Sequence, residues 1–62
     1  MKQIEVKVNG TVMTFSDLKY SEEELQAMWD TIMSYICKED DVIHLGNCLI
    51  RTSSIDYAIK GF

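Results

Sequence analysis

Three side chains in this sequence could act near neutral pH as a nucleophile, a soft metal ligand or a general base: Cys37, His44 and Cys48. A thiol nucleophile needs an imidazole within hydrogen-bond reach to take its proton. Between His44 and Cys48 stands Gly46-Asn47, a pair suited to a two-residue hairpin turn. Such a turn sets His44 opposite Leu49 and directs it away from the face that carries Cys48. Structural zinc takes four Cys or His ligands at recognised spacings, and only these three residues are of those types. Glu39, Asp40 and Asp41 form an acidic run, but a calcium loop alternates its ligands and bends at a glycine, and this run does neither. Gly10, Gly46 and Gly61 are isolated, so no phosphate-cradling loop is present. The sequence therefore leads us to expect no catalytic residues, no cofactor-binding residues, no metal site and no enzyme activity.

Size and charge narrow the classes further. A chain of 7.2 kDa exposes about 4,100 Å² when folded and about 10,400 Å² when unfolded. Burial of the apolar part at ~25 cal/mol per Å² contributes on the order of 95 kcal/mol. Ordering the residues costs on the order of 90. A single domain over 1–62 is thus marginal alone and gains from a partner. Ten acidic residues face six basic ones, a net charge of −4, which disfavours binding to a phosphate backbone. Nucleic acid is not an expected partner. No apolar run reaches the ~20 residues of a membrane span, and Met1–Val6 lacks the apolar block of a signal peptide. A cytoplasmic location with reduced cysteines is the expectation, with no membrane partner.

The elements that must position these residues follow from turns and periodicity. Ile4, Val6 and Val8 alternate with polar residues, then Asn9-Gly10 supplies a type I′ turn. That turn pairs Val8 with Thr11, Val6 with Met13 and Ile4 with Phe15. Ser21 and Glu24 form a capping box, flanked by a Tyr20–Leu25 staple. From there Leu25, Met28, Trp29, Ile32, Met33 and Ile36 recur as one apolar stripe, with Gln26, Asp30, Ser34 and Lys38 facing away. The helix should end near Cys37-Lys38. Around Gly46-Asn47, Leu45 meets Cys48 and Ile43 meets Ile50. Ile55, Tyr57 and Ile59 then alternate as a last strand. The order is ββαβββ: an α+β, two-layer fold with one helix packed on a small antiparallel sheet.

One helix covers one face of such a sheet. Val12, Val42 and Leu49 fall on the other face, with Tyr57 and Phe62 at its edge, and surplus apolar surface on a marginal fold points to association. These five residues are the expected interface of a homodimer or higher oligomer. Glu22, Glu23, Glu39, Asp40 and Asp41 are candidates for an acidic patch that meets a partner. The functional expectation is a small acidic interaction module that binds one larger protein, an inhibitor or adaptor of the type phages and mobile elements encode against host defence. The alternative is a self-assembling structural or regulatory subunit.

Overall fold

The computed structural model describes residues 1–35 and 41–62. Strands β1 (Gln3–Val8) and β2 (Thr11–Ser16) form the hairpin in the register that the turn dictates, with Val8 opposite Thr11, Val6 opposite Met13 and Ile4 opposite Phe15. Asn9 and Gly10 have φ of 49° and 83°. Two consecutive positive φ values are what a type I′ turn requires.

Helix α1 (Glu22–Tyr35) starts where the capping box places it. Ser21 Oγ accepts the Glu24 N–H at 3.1 Å, and Glu24 Oε1 accepts the Ser21 N–H at 3.0 Å. Leu25, Met28 and Ile32 are buried, with Trp29 packed beside them. Met33, expected on the stripe, is exposed. At ~100° per residue it lies about 80° round the axis from Leu25, whereas Tyr35, about 80° round in the other direction, packs against the core. The buried stripe is therefore turned toward Tyr35. Ile36 and the expected helix end at Cys37-Lys38 lie outside the described residues. Replacing Ser21 with Ala leaves the Glu24 N–H without its acceptor and should cost ~1 kcal/mol. In a chain this small the melting temperature should fall by about 4–8 °C, and an unchanged melt would show that the cap does not hold the helix end.

The second hairpin joins β3 (Val42–Leu45) to β4 (Cys48–Arg51), with Ile43 opposite Ile50 and Leu45 opposite Cys48. In its turn Gly46 has φ 60° while Asn47 stays negative, the signs of a type II′ turn. Its open end is closed by Asp41 and Thr52: the Thr52 N–H reaches the Asp41 carbonyl at 2.7 Å, and Thr52 Oγ1 accepts the Asp41 N–H at 3.0 Å. Burial of Thr52 thus leaves its hydroxyl satisfied.

The strands do not form one sheet. A short 3-10 turn, Thr52–Ser54, leads from β4 into β5 (Ile55–Lys60), and β5 pairs antiparallel with β1. One sheet has the order β2-β1-β5, and β3-β4 stands as a separate pair. β2 holds one edge of β1 and β5 the other, and the second hairpin attaches to this sheet and the helix through side chains. Ile43, Leu45 and Ile50 join Ile4, Val6, Phe15, Leu25, Met28 and Ile32 in a single core. The folded surface is 4062 Å², close to the ~4,100 Å² of a well-packed chain of this mass.

The alternation expected along β5 is broken by a bulge. Ile55 lies opposite Val8, but Tyr57 lies opposite Lys7, leaving Asp56 as the extra residue. Asp56 Oδ2 accepts the Gly10 N–H at 2.9 Å, and the Asn9 N–H reaches the Ser54 carbonyl at 3.0 Å. The β1–β2 turn is tied to β5 at the point where the register slips. Ile55 consequently packs on the core, while Tyr57 and Ile59 lie on the outer face.

Candidate interaction surface

The outer face of the three-stranded sheet is built in rows across β2, β1 and β5. One row runs Val12, Lys7, Tyr57, and the next Thr14, Glu5, Ile59. Sequence periodicity makes β1 polar on this side, and that holds, but the bulge in β5 delivers two large apolar residues beside it. Tyr57 Oη donates to Glu5 Oε2 at 2.8 Å, and Lys7 Nζ stands 5.9 Å from the Tyr57 ring centre. Acceptance of its proton by Glu5 raises the Tyr57 pKa above the ordinary 10.0, and partial desolvation with the Glu5 and Asp56 charges acts in the same direction. A phenol whose folded pKa is raised contributes stability below its unfolded pKa and loses it as pH rises through the folded value. That window is strongly alkaline, so near neutrality Tyr57 is a fixed hydrogen-bond donor.

The second hairpin presents a different outer face, where Val42 lies opposite Arg51 and His44 opposite Leu49. Leu49 keeps 65% of its surface exposed, Val42 51%, Val12 50% and Ile59 53%. Of the five expected interface residues, Val12 and Tyr57 therefore share one sheet, and Val42 and Leu49 share the other. Phe62 is placed otherwise: it follows Lys60 on the inner side, is half-buried against the core and lies under Lys60 Nζ at 4.8 Å. Its apolar surface closes the core and adds little to an outer contact. Ile59 and Leu18 are exposed apolar residues that lie outside the expected interface set. Ile59 reads as a core residue when β5 is taken to alternate without a bulge.

The acidic candidates occupy different elements. Glu22 and Glu23 are exposed in the first turn of α1, where carboxylates meet the positive end of the helix dipole. Glu22 also pairs with Lys2 Nζ at 2.8 Å. Asp41 is tied to the hairpin closure, and its Oδ1 accepts the Val42 N–H at 2.9 Å. Glu39 and Asp40 lie outside the described residues, as does Cys37. His44 and Cys48 are not brought together: His44 is on the exposed face and Cys48 on the side packed against the core. Among the described residues no three His, Cys, Asp or Glu side chains converge as a metal-binding group, no pocket opens, and no helix is long and apolar enough to cross a membrane.

Comparison of the chain with protein-family models, with curated proteins and with solved structures finds no match.

Proposed function

We propose that this chain is a non-enzymatic interaction module of the inhibitor or adaptor kind, which associates with itself and covers a surface of one larger protein. The observation that carries this reading is the pair of apolar outer faces. Val12, Tyr57 and Ile59 share one sheet, while Val42 and Leu49 share a separate one. A fold of this size has little stability to spare, and two uncovered apolar faces suit an assembly better than a free monomer. On this reading the three-stranded sheet serves self-association, and the Val42–Leu49 face meets the larger protein.

Two measurements test this reading. The melting temperature should rise with protein concentration, because association stabilises only the folded form. Tagged wild-type chain and its Leu49→Asp variant should also differ as bait. The variant's circular dichroism and oligomer mass should match the wild type. A protein retained by the wild type should be absent from the Leu49→Asp capture, since a charge would enter an apolar contact without a counter-ion. A concentration-independent melt with monomer mass rules out self-association, and identical captures rule out the Val42–Leu49 face.

A further inference from the structure

We infer that the outer edge of β5 pairs antiparallel with β5 of a second copy, joining two three-stranded sheets into one of six strands; this rests on the self-association proposed above. Hydrogen-bonding direction alternates along an antiparallel strand. The Gly61 N–H reaches the Gln3 carbonyl at 2.8 Å, so Tyr57 and Ile59, in the same phase, turn their backbone groups toward β1. Ala58 and Lys60 turn theirs outward, and no described residue hydrogen-bonds to those groups. An open strand edge of this kind is a template for a further strand.

The sequence of this edge is complementary to itself. An antiparallel copy centred on Ala58 places Ala58 against Ala58 of the second copy, with no bulk at the two-fold axis. Tyr57 then meets the second copy's Ile59, and Ile59 its Tyr57, so four exposed apolar side chains become two cross-strand pairs on the outer face. Asp56 meets the second copy's Lys60, and Lys60 its Asp56: two pairs of opposite charge. Both side chains are exposed: Asp56 Oδ2 accepts the Gly10 N–H and Lys60 Nζ lies over the Phe62 ring, and a carboxylate and an ammonium each have capacity for further hydrogen bonds. The other edge of the sheet, on β2, is the weaker template. Pairing there about Thr14 would engage Val12 and Ser16, but the Ser16 carbonyl already accepts the N–H groups of Lys19 and Tyr20 at 3.2 and 3.1 Å.

The test is charge reversal followed by mixing. Asp56→Lys sets two lysines against two lysines across the axis, and Lys60→Asp sets aspartates against aspartates. Each variant alone should have monomer mass by light scattering at a concentration where the wild type is a dimer. An equimolar mixture should recover dimer mass, because every apposed pair is then opposite in charge. As Asp56→Lys also removes the acceptor of the Gly10 N–H, a second arm avoids that position. Ala58→Cys, with Cys37→Ser and Cys48→Ser, places one thiol opposite its copy at a Cα separation of about 5.5 Å, within disulfide range. Mild oxidation should give a covalent dimer, and Val12→Cys in the same background should give none. Wild-type oligomers that keep their mass in both charge variants, or an Ala58→Cys chain that stays uncrosslinked, overturn the β5 edge and leave self-association standing. A wild type that is monomeric at every concentration overturns both.

Discussion

Gly46→Ala should lower the melting temperature much more than Gly10→Ala, although each replaces a glycine of positive φ in a two-residue hairpin turn. Gly10 has φ 83° and open space around the position of an added Cβ, so its substitution costs left-handed strain of ~1–2 kcal/mol. At Gly46, with φ 60°, the added carbon would stand 2.6 Å from Tyr20 Oη and 3.3 Å from both Tyr20 Cζ and Phe15 Cε1. Neither ring can swing aside freely. Phe15 is buried, Tyr20 packs against the core, and the two rings meet edge to face with centres 5.9 Å apart. Displacing packed side chains adds ~1–3 kcal/mol, for a sum of about 2–5 kcal/mol. A chain of this length has a total stability of about 3–9 kcal/mol, so Gly46→Ala should leave a protein that is partly unfolded at 37 °C. Thermal melts of the two variants side by side decide the matter: equal losses would mean that the second turn does not press on the Phe15–Tyr20 pair.

Leu45→Ala should be the most damaging truncation, and it should unfold the whole chain. The β3–β4 hairpin shares no ladder with the other sheet. It is held by Ile43, Leu45 and Ile50 in the common core, and Leu45 is fully buried there. Removing a buried leucine side chain costs ~2–5 kcal/mol, of the same order as the total stability. The helix depends on the same residues, since Leu25, Met28 and Ile32 pack into the cluster that Leu45 completes. Loss of the hairpin therefore exposes the apolar stripe of α1. Urea titration followed by Trp29 fluorescence and by far-ultraviolet circular dichroism should give coincident transitions at a lower midpoint. Separate transitions, with the helix signal persisting after the fluorescence change, would show that the hairpin is a dispensable appendage.

The functional proposals depend on how the two sheets divide the surface. A single sheet would have gathered Val12, Val42, Leu49 and Tyr57 on one plane, suited to one partner. Two sheets leave two outer faces, and the β5 edge with Tyr57 and Ile59 lies on a different sheet from Leu49. On the proposed reading, the chain would use separate residues for its own copy and for another protein, and substitutions on the two sheets should affect the two contacts independently.

The parts of this structure legible in the sequence are those in which neighbours along the chain decide. Asn9-Gly10 and Gly46-Asn47 each admit a narrow set of backbone angles, and a two-residue turn fixes the register of every pair behind it. Both ladders follow accordingly. The start of α1 is equally local, because Ser21 and Glu24 satisfy each other's N–H groups within one turn. Tertiary structure alone decided which strand takes the second edge of β1. Backbone donors and acceptors are chemically the same in every strand, so the choice of β5 rests on how all the segments cover the core together. From that choice follow the two sheets, the Asp56 bulge and the outward placement of Tyr57 and Ile59. The rotation of the helix stripe from Met33 toward Tyr35 has the same origin. Periodicity defines an apolar arc, but the neighbours packed against it settle which end of that arc is buried.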